Sequence, residues 1–214
     1  MILYGNWRSL ATYRVRVALA LKNVPHEVKA INMQGNEHRG DAFKKLSPQG
    51  VLPALDVGHG AVLFQSLAIL EYLEEAHPTP ALLPRDLAAR ARVRGLALIV
   101  AADAHPMLVP RVREFLQQEA GLDDGELKSW LDRALLTALD AIEADLHASP
   151  HTGKFCHGDT PTVADICLAS HLIAAQFFKF DTGSYPHCQR VFANCMAIAA
   201  FADSHPLKQP GAPA

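Results

Sequence analysis

The sequence predicts two domains, an α/β domain over residues 1–78 and an all-α domain over residues 84–214. Three observations carry this. Short apolar runs of strand length alternate with helical periodicity as far as His77, a Pro-Thr-Pro-Ala stretch follows, and helical patterning is then almost unbroken. A chain of 214 residues, half of them hydrophobic, has apolar surface for one or two cores and not for more.

Each element follows in order. Met1–Tyr4 (MILY) reads as a short buried strand, and Tyr13–Lys22, with Val15, Val17, Ala18, Leu19 and Leu21, as a helix packed on a sheet, ended by Pro25. His26–Ile31 alternates polar and apolar positions as a second strand. Residues 54–57 and 61–64 flank Gly58-His59-Gly60 as a hairpin. Ser66 then opens a helix with Leu67, Ile69, Leu70 and Leu73 inside and Glu71, Glu74 and Glu75 outside. Beyond the linker at 78–84, Arg85–Gln118 has the pattern of one long helix in which Pro106 and Pro110 demand a kink or a break. Leu127–Leu146 places Leu127, Trp130, Leu131, Leu135, Leu139, Ile142 and Leu146 on one face. Thr162–Phe178 forms another helix, opened by Thr162 and Asp165 in a capping box.

Charge and composition narrow the function. With 20 Lys and Arg against 22 Asp and Glu, the net charge of -2 gives no basic field for nucleic acid or an anionic membrane. The start, MILYGNWRSL, lacks a signal-peptide h-region, and no apolar run approaches the roughly 20 residues that span a bilayer, so a cytoplasmic protein is expected. Four cysteines without a CxxC pair fit reduced thiols, and eleven histidines without HxxH or HExxH spacing leave no metal site in prospect.

Three pairs mark a ligand site. Arg8-Ser9 lies between the first strand and first helix, Leu52-Pro53 precedes the hairpin, and Gln65-Ser66 turns into the third helix. One end of an open α/β sheet, where such turns gather, is where a small ligand binds.

The stretches WRSLATYRVRVALALK, AFKKLSPQGVLPALD, QSLAILEYLEE, DAHP and GDTPTVADI follow one another in the order found in a known family. On them the sequence resembles the cytosolic glutathione transferases, most closely the zeta class, which includes maleylacetoacetate and maleylpyruvate isomerases. The resemblance implies a thioredoxin-like N-terminal domain followed by an all-α domain, a homodimer, and glutathione as cofactor. It also implies a glutathione-dependent cis–trans isomerase of a maleyl-type dicarboxylate, a small anionic substrate, in aromatic compound catabolism. Glutathione thiolate would add to the cis double bond, the single bond would rotate, and elimination would return the trans isomer.

The same resemblance implies the roles of single residues. Ser9 would stabilise the thiolate from a helix start, the alternative being that it only caps that helix; Thr12 is a reserve hydroxyl. Pro53 matches the family's cis-proline, which turns the Leu52 backbone toward the cysteinyl part of glutathione. Gln65 and Ser66 match the site for the γ-glutamyl end, although a pure N-cap would look the same for Ser66. His38 aligns with a glycyl-end contact, with an exposed loop histidine as the competing explanation. His105 of DAHP aligns with a contact from the second domain. Arg8 and Arg111 match basic positions that clamp carboxylates in the isomerases, the alternative for Arg111 being a place on a solvated helix face. Thr162 and Asp165 are assigned to folding alone.

This chain departs from the zeta pattern in places. Leu10 and Ala11 replace Ser and Cys, Met107-Leu108-Val109 replaces an L-N-N run, and Ala175-Gln176-Phe177 lacks an arginine of maleylpyruvate isomerases. A transferase that conjugates or dehalogenates a more apolar electrophile is therefore the second expectation. A non-enzymatic glutathione-fold binding protein is the third.

Overall fold

In the computed structural model, which describes residues 1–213, the chain forms two compact units: Met1–Leu82 joined by the C-terminal segment from Ala197, and Leu83–Met196. The sequence reading ran the helical domain to residue 214. The structure instead groups the last segment with the first unit, because Phe201 is fully buried there and the Ser204 carbonyl accepts a hydrogen bond from Arg16.

The first unit is built on a four-stranded mixed sheet of β1 (Ile2–Gly5), β2 (Glu27–Ala30), β3 (Ala54–Gly58) and β4 (Ala61–Phe64), in the order β2-β1-β3-β4. β2 runs parallel to β1; β3 and β4 are antiparallel to their neighbours. Gly58, His59 and Gly60 all have positive φ, which the hairpin demands and which glycine supplies at two of the three positions. The alternation of β2 predicts one covered face, yet Glu27–Ala30 is exposed throughout, as an edge strand with charged side chains can be.

Against this sheet lie α1 (Leu10–Leu21) and α3 (Ser66–Ala76), with a short α2 (Asp41–Lys44) between them in sequence. α1 is buried on every side from Leu10 to Leu19, including Arg14 and Arg16. Its last turn hands the chain to a buried ion pair: Lys22 Nζ lies 2.7 Å from Glu74 Oε2 on α3 and also donates to the carbonyls of His77 and Pro80. Glu74 in turn accepts the Leu82 N–H at 2.9 Å, so one buried pair fixes the start of the linker.

The second unit contains α4 (Leu87–Leu98), α5 (His105–Leu108), α6 (Pro110–Gln118), α7 (Asp124–Ala148), α8 (Val163–Phe177) and α9 (Pro186–Met196). A last short helix, α10 (Ala199–Asp203), belongs to the first unit. The expected long helix is broken as its prolines require. Pro106 has no N–H to give the Ala102 carbonyl, and Ile99–Ala104 is wound as a π-helix, with the His105 N–H donated to Val100. Val109 is extended before Pro110, which starts α6. The run Leu87–Gln118 has the length and apolarity to cross a bilayer; α4 packs on α8 through Val93, Leu96 and Ala97, which are buried.

α7 buries Leu127, Leu131, Leu135, Leu139, Ile142 and Leu146, with Trp130 half-buried and its indole N–H on the Met107 carbonyl. α8 begins as anticipated. The Thr162 N–H and hydroxyl both donate to Asp165 Oδ2, and Asp165 Oδ1 takes the Cys156 N–H. Burial pushes the Asp165 carboxyl up, against these hydrogen bonds. All four cysteines are buried, and none forms a disulfide among the described residues.

Candidate functional site

The register of the sheet assembles the first part of the site. Tyr4 pairs with Ala54 and Ala54 with Phe64, so the residues following β1, preceding β3 and following β4 emerge at one edge. Those residues are Arg8-Ser9, Leu52-Pro53 and Gln65-Ser66. The end of β2 joins them, because Gly5 pairs with Ala30 and the Asn6 amide reaches the Ile31 carbonyl at 2.9 Å.

Ser9 is the N-cap of α1. Its Oγ accepts the Thr12 N–H at 3.1 Å, and its own N–H donates to the Asn6 carbonyl at 3.2 Å. Capping uses an oxygen lone pair and leaves the hydroxyl hydrogen to donate, so the capping and thiolate-stabilising roles are compatible. α1 carries no acidic residue in its first turn to offset the positive end of its dipole. Thr12, the proposed reserve, is fully buried with its side chain against Gly5, whose Cβ position lies 2.3 Å from Thr12 Cγ2. Leu10 and Ala11, at the two positions that depart from the zeta pattern, are buried as well. Arg8 is exposed, with its N–H on Asn6 Oδ1.

Leu52-Pro53 is a cis peptide bond, and the Leu52 side chain packs on Ile31, Phe43 and Ala54. Gln65 has φ 68 and occupies the N-cap of α3, and its side-chain amide donates to Gln49 Oε1 at 2.6 Å. Ser66 is thus the first helical residue and not the cap. It is 5% exposed, and its hydroxyl oxygen accepts from Arg14 Nε at 3.0 Å. α3 also lacks an acid in its first turn. A hydroxyl at a helix N-terminus, backed by a guanidinium that is 2% exposed, is a donor set suited to a carboxylate.

His38 is buried in a single 3-10 turn, Glu37–Arg39, so the exposed-loop explanation does not hold. In the second unit, His105 opens α5 and Arg111 is an exposed residue in the first turn of α6. Leu108 is buried in the core of that unit, which withdraws it from the apolar lining the sequence suggested; Val109 and Phe177 are half-buried and Gln176 is exposed. Among the described residues, no group of three or more His, Cys, Asp or Glu side chains is placed to hold a metal ion.

Arg14, which meets Ser66, and Arg16 are not among the candidate residues that the sequence supplies. The available signal was their place two apart on a helix otherwise apolar all round, which puts them on opposite faces that are both buried.

Family models for the glutathione S-transferase N-terminal and C-terminal domains match residues 1–75 and 126–194. A maleylpyruvate isomerase from a Ralstonia species is 44% identical over 98% of this chain and 99% of its own length. The chain belongs to the glutathione S-transferase family. The maleylacetoacetate isomerase of Pseudomonas aeruginosa is 40% identical over the whole of both chains. A holo maleylpyruvate isomerase structure, described as a bacterial glutathione S-transferase of the zeta class, superposes with TM-score 0.97 over all of both chains at 44% identity. A maleylacetoacetate isomerase from Methylobacterium extorquens, solved with malonate and glutathione bound, matches with the same score, identity and coverage.

Proposed function

We propose that this glutathione S-transferase is a glutathione-dependent cis–trans isomerase of maleyl-type dicarboxylates in aromatic compound catabolism. The observation that carries the reading is the full-length likeness to maleylpyruvate isomerase at 44% identity, on a chain whose Ser9 and Ser66 stand at two acid-free helix starts. Glutathione, when bound, supplies a sulfur nucleophile that can add to a conjugated double bond and leave it again.

The chain's own residues do the rest. Ser9 donates its hydroxyl to sulfur and favours the charged form. Ser66, with Arg14 behind it, receives the γ-glutamyl carboxylate beside Gln65. The Leu52 backbone pairs with the cysteinyl peptide, and His38 and His105 add polar contacts. Arg8 and Arg111 hold substrate carboxylates, so that one end stays fixed while the other turns. The enzyme is a cytoplasmic homodimer in this reading.

The test is to incubate the protein with glutathione and maleylpyruvate or maleylacetoacetate and follow loss of the cis enol absorbance. Turnover supports the reading. No turnover, with conjugation of a neutral aromatic electrophile instead, gives the second reading, which Val109, Phe177 and Gln176 favour by their apolar or uncharged character. A single subunit's mass in sizing removes the homodimer.

A further inference from the structure

Arg16 is 6% exposed, and its guanidinium spreads over three carbonyls: Nε to Ser204 at 3.3 Å, one terminal nitrogen to Asn6 at 3.4 Å, and the other to Trp7 at 3.4 Å. Each bond is long; together they tie the turn after β1 to the segment after α10. No carboxylate pairs with the guanidinium among those residues. An unpaired arginine buried this deeply is costly to keep. Burial lowers its pKa to about 10, so it stays protonated at neutral pH.

What it holds is the turn that presents Ser9. The Asn6 carbonyl receives both Arg16 and the Ser9 N–H, and the Asn6 side chain fixes the same turn from the other side through Ile31 and the Arg8 N–H. Ser9 next accepts the Thr12 N–H, closing the path from Arg16 to the hydroxyl. On the far side, the Ser204 carbonyl follows α10, and Gly211 lies against the Trp7 indole, its Cβ position 3.5 Å from Cδ1.

We propose that Arg16 is a positioning residue for Ser9, and that the C-terminal segment from Ala197, by giving it the Ser204 carbonyl, is a working part of the glutathione site. This rests on the reading of Ser9 as the donor to glutathione sulfur. A guanidinium fork can bridge three carbonyls at once, whereas an ammonium on a flexible stem cannot hold that spread. Loss of the fork leaves the turn free to shift by fractions of an ångström, enough to spoil a donor–sulfur contact without disturbing the rest of the peptide site.

The experiment compares Arg16→Met, Arg16→Lys and Ser9→Ala with the parent protein. In the free protein, amide hydrogen exchange at Ser9 and Thr12 reads the turn directly. With glutathione bound, ultraviolet titration gives the thiol pKa, and steady-state kinetics separate kcat from KM. For Arg16→Met we expect faster exchange at both amides, a thiol pKa raised by roughly 0.5–1 unit, and kcat down about five- to tenfold with KM for glutathione within about threefold. Arg16→Lys should fall between. If Arg16→Met does not fold, Arg16→Lys decides: parent-like exchange and thiol pKa in that variant overturn the proposal. Parent-like values in Arg16→Met overturn it likewise, and if Ser9→Ala still shifts the thiol in the same series, the fault lies with Arg16 and not with the reading of Ser9. A thiol pKa unmoved by Ser9→Ala counts against the site reading itself and takes this proposal with it.

Discussion

In the proposed function Ser9 serves a fold and a reaction with one hydroxyl, and two substitutions separate them. Ser9→Ala removes the acceptor that holds the Thr12 N–H at 3.1 Å. Loss of an N-cap costs about 1 kcal/mol, which in a protein of this size lowers Tm by about 2–4 °C. It also removes the donor proposed for sulfur. A hydrogen bond to a charged group contributes about 1.5–3 kcal/mol, and at 1.36 kcal/mol per pKa unit the thiol of bound glutathione should rise by roughly 1–2 units. Thr12 cannot take over, since it is fully buried against Gly5. Ser9→Asp is the contrasting change. Aspartate caps as well as serine, so thermal stability should hold, but it offers no proton and brings a like charge, so the thiol pKa should rise at least as far. Thermal melts and titration of the thiolate absorbance check the pair. An unchanged titration curve in Ser9→Ala, with Tm lowered, would show that the residue is a cap and nothing more.

Arg8→Ala and Arg111→Ala should each lower kcat/KM for a maleyl substrate by roughly ten- to a hundredfold, leaving conjugation of a neutral electrophile nearly as it was; equal losses in both assays would remove the carboxylate clamp. Lys22→Met strands the buried Glu74 carboxylate and should cost about 3–5 kcal/mol in urea denaturation, and Lys22→Met with Glu74→Leu should recover only part of it, since the His77 and Pro80 carbonyls and the Leu82 N–H lose their partners too; a single variant as stable as the parent would contradict the buried pair. Burial raises the Glu143 carboxyl, but the amides of His187 and Cys188 at the start of α9 outweigh it and hold the group below its ordinary value. Its contribution is therefore present above the unfolded glutamate value and lost as pH falls through the folded one. Glu143→Gln should cost about 1 kcal/mol at pH 7, and the difference from the parent should close in acid; a gap independent of pH would refute it.

Much of the first unit, and the opening of α8 in the second, could be read from local pattern. The strand–helix–strand order, the hairpin over Gly58-His59-Gly60 and the opening of α8 at Thr162 each depend on residues within a few positions of one another, where periodicity and turn chemistry act directly. That the three candidate pairs lie together has the same local origin: each sits at the end of an element, and the sheet register brings those ends to one end of the strands. Local pattern also located the break in the long helix, though not that a π-helical turn absorbs Pro106.

The amino-acid sequence by itself determined the order of the strands and longer helices and which turns carry Ser9, Pro53 and Ser66, though not α2, α9, α10 or the start of α1 at Leu10. Only the tertiary structure decided what stands behind them. Ser66 receives Arg14 across 52 residues, and the Ser9 turn is tied through Arg16 to Ser204, 188 residues further along. Helical periodicity reports which faces of α1 are apolar; it carries no information on which distant carbonyl or hydroxyl will meet a polar side chain on a covered face. The same limit explains why the segment from Ala197 read as part of the helical domain: its destination is set by burial of Phe201 and by a carbonyl offered to Arg16, and neither contact leaves a mark in the local sequence.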